Sequence, residues 1–166
     1  MKELSLHILD IVQNSISAGA DLVKILIDED ISGDKLIITV EDNGIGMEKH
    51  IIEKVKDPFY TSRSTRKVGL GVPLLLAAAN RCEGNLFIES EPGKGTKLTA
   101  VFKYSHIDRA PIGNIWDTMA GLILCNETVD FIYKHKYGNK VFELSTIDLK
   151  NTLKEVPITS PEVAVW

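Results

Sequence analysis

Only two cysteines occur in the 166 residues, Cys82 and Cys125, far apart and in no CxxC pair. That scarcity excludes a disulfide scaffold and leads us to expect buried, reduced thiols in a cytosolic protein. Long apolar runs are missing too. None approaches the roughly 20 residues that cross a bilayer as a helix. The opening, MKELSLHILDIVQNS, lacks the features of a signal peptide. Glu3, His7 and Asp10 interrupt its apolar residues, and no small-residue cleavage site follows. A strong charge of either sign is likewise absent. The net charge of −4 gives no reason to expect nucleic acid or an anionic membrane as partner, so an anionic ligand would be held by local groups. The four histidines (His7, His50, His106, His135) are scattered without metal-ligand spacing, which argues against a zinc site. No repeat or low-complexity segment interrupts the chain.

What is present suits a globular domain. Apolar residues make up 44% and charged residues 25%, which predicts a packed core. Leu4, Ile8, Ile11, Val12, Ser15 and Ala18 fall at helical spacing, predicting a helix over 3–18 closed by Gly19. Residues 22–28 and 35–41 are β-branched strands around a turn at 32–34 and form an antiparallel hairpin. A short helix is expected over 48–55 and a polar, basic loop over 57–69. An apolar helix follows over 70–82, with Pro73 tolerated only in its first turn and Gly84 as its stop. Residues 85–90 and 97–103 read as strands. The composition shifts to a linker near 105–112. Beyond it lie a helix at 114–125, a hairpin at 128–134 and 140–145 turning at Tyr137, Gly138 and Asn139, and a helix near 147–154 started by Ser145 and Asp148.

Four stretches carry chemistry. Asp10 and Asn14 are four apart and share one helical face, where a carboxylate beside an amide can orient a water and complete a magnesium shell. The same pair is also compatible with an ordinary solvated face. EDNGIGM, at 41–47, places Gly44 and Gly46 just after a strand, which suits either a turn or a close approach of backbone to a ligand. Arg63, Arg66 and Lys67 precede Gly69, Leu70 and Gly71, which open a helix whose unpaired N–H groups and positive dipole end suit phosphate. The three cations could also be a solvated loop. Gly93, Lys94, Gly95 and Thr96 make a turn between strands that alone reads as an ordinary hairpin loop.

Taken in this order, the stretches resemble the ATP-binding domain of the histidine-kinase-like ATPases, from about residue 4 to residue 103. That superfamily includes sensor histidine kinases, type II topoisomerases, MutL-type repair proteins and anti-sigma serine kinases. The resemblance implies an α+β fold, the two-layer α/β sandwich of the Bergerat type. Its mixed, mostly antiparallel sheet would be covered by helices on one face. It implies ATP and Mg2+ as cofactors. LDIVQNSISAGAD is similar to the family's first box, so Asn14 would bind magnesium and Asp10 would act as the catalytic base or water-orienting group. The family often has a glutamate there, one methylene longer. Asp42 would accept from the adenine amino group, Gly44 and Gly46 would close the backbone on the nucleotide, and Met47 would line the base pocket. DPFYTSR resembles the phenylalanine box, with Phe59 packing a mobile lid. VGLGVPLL resembles the second glycine box, so Gly69, Leu70 and Gly71 would cradle phosphates. Arg63, Arg66 and Lys67 would reach the terminal phosphate. SEPGKGTKLTAVF resembles the end of a sensor-kinase domain, where Thr96 helps close the adenine pocket.

The chain also departs from that pattern. It begins at the box helix, so the fold is expected to be trimmed at its N-terminus, with the hairpin at 128–145 supplying the missing sheet edge. No phosphoacceptor helix is recognisable, and His7 is read as structural. The expected division is a nucleotide-binding domain over 1–104 and an extension over 105–166 packed on it. The extension could form a partner surface or cover the sheet, and covering is favoured because a small domain needs its apolar area. The expected function is Mg–ATP-dependent signalling, as a protein kinase or ATPase acting on an unidentified protein partner. An anti-sigma-like serine kinase and an ATP-dependent binding switch without turnover are the alternatives. A DNA role is disfavoured, a homodimer is left open, and a cytoplasmic location is expected.

Overall fold

A computed structural model describes residues 3–59, 70–154 and 156–161. Helix α1 (Leu4–Ser17) buries Leu4, Ile8, Ile11 and Val12, the stripe its periodicity predicts. Its first amides are not capped by a side chain. The N–H groups of Leu4 and Ser5 donate instead to the carbonyls of Pro111 and Ile112, at 2.9 and 2.8 Å. The chain leaves the helix through Gly19, whose φ of +81° is readily adopted by glycine.

Six strands follow: β1 (Leu22–Asp30), β2 (Lys35–Asp42), β3 (Asn85–Glu91), β4 (Gly95–Lys103), β5 (Asp130–Tyr137) and β6 (Lys140–Ser145). They form one sheet in the order β3-β4-β2-β1-β5-β6. Every pairing is antiparallel except β1 with β5. The other helices are α2 (Lys49–Val55), α3 (Gly71–Arg81), α4 (Ile115–Cys125) and α5 (Thr146–Leu153). The architecture is the expected α+β sandwich.

Alternation along the strands sets the layers. Val23, Ile25 and Ile27, Leu36, Ile38 and Val40, Leu98, Ala100 and Phe102, and Phe131 and Tyr133 are buried. They share one core with α1, with Leu75, Ala78 and Ala79 of α3, and with Ile115, Met119 and Leu122 of α4. On the opposite face one row reads Lys24, Glu41, Lys97, Glu89 across β1, β2, β4 and β3. Alternating charge at that spacing suits water on that side.

Strand β5 runs to Tyr137, past the expected end at 134, because its pairing with β1 continues to Glu29 opposite Tyr137. A polar cluster joins the two strands. His135 Nε2 lies 2.7 Å from Glu29 Oε2, His135 Nδ1 lies 2.8 Å from the Tyr133 hydroxyl, and Tyr104 donates to Glu29 Oε1 at 3.1 Å. Burial, with Glu29 adding to it, pushes the Tyr133 phenol up to about 12.

One expectation needs correction. Cys82 is buried but Cys125 is exposed, because it ends α4 on the side away from the core. Helix α3 ends ahead of Gly84, whose N–H donates to the Ala79 carbonyl at 2.9 Å after a left-handed Glu83 (φ 55°).

The hairpin of β5 and β6 contributes to the same core as α1. Phe131→Ala is therefore expected to cost about 3–5 kcal/mol of global stability in one cooperative transition, read by urea denaturation.

Candidate functional site

Helix α1 turns its polar edge toward the start of α3. A Cβ placed on Gly71 would lie 3.5 Å from both Asp10 Cβ and Asn14 Nδ2, so the first residue of α3 rests against this pair. The first-turn N–H groups of a helix lack intrahelical partners, and here they sit beside the Asp10–Asn14 edge. Asn14 Oδ1 is buried and has no hydrogen-bond partner. Leaving such an oxygen unpaired costs about 1–3 kcal/mol, so it marks a place where a ligand would restore a bond. Burial raises the Asp10 carboxyl above its ordinary value. Leu70, just before the helix, is half-exposed.

One residue along α1 the site continues. The Ser15 hydroxyl donates to Asp42 Oδ2 at 2.6 Å, and the Gly44 N–H donates to Asp42 Oδ1 at 2.9 Å. Both carboxylate oxygens at the end of β2 are therefore held. Asn43 ties the turn to the start of β1, accepting from the N–H groups of Asp21 and Leu22 at 3.0 and 3.1 Å. The loop then passes between two other backbones. Ile45 N–H donates to the Ala18 carbonyl at 2.9 Å, and Gly93 N–H donates to the Ile45 carbonyl at 2.6 Å. Gly46 has a φ of +71°, and a Cβ there would overlap the Glu91 carbonyl. Met47 N–H ends the crossing on the Ser90 hydroxyl, at 2.8 Å. Thr96 pairs directly with Asp42 across β2 and β4, so the two share the helix-facing side.

Two groups thus form around α1. Asp10, Asn14 and Gly71 make one. Asp42, Gly44, Gly46, Met47 and Thr96 make the other, and Ser15 links them as the neighbour of Asn14. Phe59 stands apart. Its N–H is held by Asp57 Oδ1 at 2.8 Å, but the residue is 92% exposed. Arg63, Arg66, Lys67 and Gly69 lie outside the described residues. His7 is buried, which lowers its pKa, and its Nδ1 has no partner. Sequence reasoning missed Ser15, Asn43 and Ser90. The only signal for Ser15 was a hydroxyl on the apolar stripe of α1, which needs a polar partner when buried. Its partner is 27 residues away.

With this geometry in view, relatives are informative. Residues 2–106 match the family described as histidine kinase-, DNA gyrase B-, and HSP90-like ATPase. Sporulation kinase E of Bacillus subtilis is 32% identical over 89 residues, covering 53% of this chain and 12% of the kinase. The anti-sigma F factor of Clostridium perfringens is 30% identical over 102 residues, covering 59% of this chain and 69% of that protein. The chain spans less than a quarter of the length of the sensor and sporulation kinases it matches. Among solved structures, the Aquifex aeolicus MutL ATPase domain complexed with ADP shares the fold. Its TM-score is 0.56 at 17% identity, over 93% of this chain and 68% of that one. The fold likeness therefore extends past residue 106, where the family match stops. No helix among the described residues is long and apolar enough to cross a membrane.

The raised Asp10 carboxyl has a consequence for stability. The folded state binds its proton more tightly than the unfolded chain, so stability falls as pH rises from the ordinary value of 3.8 through the folded one. Asp10→Asn removes that penalty. The variant is expected to melt higher than the wild type at pH 7, with the gain shrinking toward pH 3.8, as followed by circular dichroism.

Proposed function

We propose, from the premise that the chain belongs to the family of histidine kinase-, DNA gyrase B- and HSP90-like ATPases, that it binds magnesium–ATP and acts in signalling as a protein kinase or ATPase. The observation that carries this reading is the unpartnered Asn14 oxygen, buried beside the start of α3 and one residue from the Ser15–Asp42 bond. Adenine is placed at Asp42, whose two held oxygens keep acceptor capacity for the amino group. Gly44 and Gly46 bring the backbone close to the base, Met47 lines the pocket, and Thr96 closes it. The phosphates run toward Gly69, Leu70 and Gly71, where the dipole of α3 favours negative charge. Arg63, Arg66 and Lys67 neutralise the terminal phosphate, and Phe59 packs the lid over it.

Magnesium fits the residues present. Asn14 Oδ1 is a hard, neutral oxygen without another partner. Among the described residues no group of three or more His, Cys, Asp or Glu could hold a metal, so phosphate oxygens and water would supply the remaining ligands. The ion, when bound, offsets charge on the phosphate oxygens. The chain's own part is positioning. Asn14 would hold the ion beside the phosphates through its unpartnered oxygen. Asp10, made more basic by burial, orients or deprotonates the attacking group. The phosphoryl acceptor is a residue of a protein partner, or water.

A second reading has its own support. Asp10 is one methylene shorter than the family's glutamate, which places its carboxylate farther from an attacking water. The likeness to an anti-sigma factor over 69% of that factor's length fits a small domain that works by binding a partner. On this reading ATP is held with little turnover, or is used on a serine of the partner.

Calorimetric titration of ATP, with and without magnesium, tests the main reading. Wild type is expected to bind only with magnesium, and Asp42→Asn to lose about 10-fold or more in affinity through its lost acceptor. No binding by folded wild type would sink the nucleotide site. Asp10→Asn then separates the two readings. If Asp10 is the base, phosphate release stops while ATP binding is retained. Wild type that binds ATP but releases no phosphate supports the switch.

A further inference from the structure

Ser90 opens the stretch SEPGKGTKLTAVF but has no part in the nucleotide reading so far, yet it ties that stretch to EDNGIGM. Its hydroxyl lies 2.8 Å from Met47 N, 2.9 Å from the Gly95 carbonyl and 2.8 Å from Thr96 Oγ1. A serine hydroxyl has one proton and two lone pairs. Met47 N–H can only donate, so it takes one lone pair. The Gly95 carbonyl can only accept, so it takes the proton. The remaining lone pair faces Thr96, and all three contacts are satisfied together only if the Thr96 hydroxyl donates to Ser90.

We infer that Ser90 is a positioning residue that sets base selectivity: it ties up the Thr96 proton, so that the polar side chains Thr96 and Asp42 present the base pocket with hydrogen-bond acceptors alone. Ser90, Thr96 and Asp42 lie in one row across β3, β4 and β2, each paired directly with the next. The Asp42 carboxylate, as an ionised acid, has acceptors only, and its oxygens are already oriented by Ser15 and Gly44. With its proton committed to Ser90, Thr96 adds acceptor lone pairs beside it. A purine carrying an exocyclic amino group at C6 meets that pair with two N–H donors. A purine with a carbonyl at C6 meets it with an acceptor, and buried acceptors left facing each other are penalised. The same Ser90 oxygen anchors Met47, so the polar row and the apolar lining are set by one atom. This inference rests on the nucleotide reading above and deepens it. Adenine is selected by a hydroxyl that need not touch the base.

Ser90→Ala frees the Thr96 proton to turn toward the pocket and donate. The test is the ratio of ATP to GTP affinity, measured with magnesium by competition against a fluorescent ATP analogue. The variants are wild type, Ser90→Ala, Ser90→Thr, Thr96→Val and the double variant. Wild type is expected to favour ATP, and Ser90→Ala to narrow the ratio by about tenfold, mainly by a gain for GTP. Ser90→Thr, which keeps the hydroxyl, is expected to restore most of the ratio. Adding Ser90→Ala to Thr96→Val is expected to change the ratio no further, because Ser90 acts through Thr96. A role confined to packing would weaken both nucleotides together and leave the ratio unmoved, and that result would overturn the inference while leaving ATP binding intact. Should Ser90→Ala fail to fold, Thr96→Val decides: an unchanged ratio there overturns the inference, and a narrowed one supports it. Wild type that binds ATP and GTP alike also overturns it. Wild type that binds neither overturns the nucleotide reading, and this inference with it.

Discussion

Three backbones meet at the end of β2, and there is no room for side chains between them. The loop after Asp42 passes under the turn that joins β3 to β4. A Cβ on Gly46 would overlap the Glu91 carbonyl, and one on Gly95 would overlap the Asp42 carbonyl. On the other side, a Cβ on Gly44 would come within 2.8 Å of the Ala18 carbonyl. Ile45 pairs its N–H and carbonyl with the Ala18 and Gly93 backbones, while Asp42 and Ser90 side chains take the Gly44 and Met47 N–H groups. Ala18, at the end of α1, takes one of those bonds. The helix layer, the loop and the sheet are therefore joined at one point, and Asp42 sits on it. A carboxylate held by Ser15 and Gly44 on so rigid a base costs little further ordering when a ligand arrives.

Helix α1 does two jobs whose demands conflict. Its apolar stripe anchors the core, and each fully buried Leu, Ile or Val stabilises the fold by about 1.5–3 kcal/mol. The next side of the same helix carries a carboxyl that burial makes harder to ionise and an amide oxygen with no partner. Both are costs in the folded state. They are sustained because Leu4, Ile8, Ile11 and Val12 are almost wholly buried. Features that lower stability in this way cluster where chemistry is done. The start of α1 depends in turn on the segment beyond residue 104, since the Pro111 and Ile112 carbonyls take its first amides. Helix α4 adds Ile115, Met119 and Leu122 to the core, and β5 extends the sheet beside β1. The C-terminal region thus helps hold the helix on which the site is built.

Much of this could be read from the residues in order. The apolar period of 3–18, the β-branched runs at 22–28 and 35–41, and the glycines of 44–46 and 93–95 each point locally to their element. Boundaries drifted where tertiary pairing extended a strand, as at Tyr137, which continues β5 because Glu29 lies opposite it. Cys125 was misplaced because an apolar helix does not announce which of its ends leaves the core. Ser90 was invisible for a different reason. A serine in a strand is unremarkable until its three partners are known, and those come from a loop 43 residues earlier and from the next strand.

Sequence alone determined the elements, the alternation that puts Val23, Ile25 and Ile27 in the core, and the sites where backbone must approach backbone. These follow from local rules, periodicity and the missing Cβ of glycine, which act over a few residues. Only the tertiary structure decided which edge of the sheet the last hairpin would take, that Ser15 would reach Asp42, and that Ser90 would take Met47 and Thr96 at once. Those facts depend on strand order and register. They are set by how the whole apolar surface is buried, so no single stretch of the chain contains them.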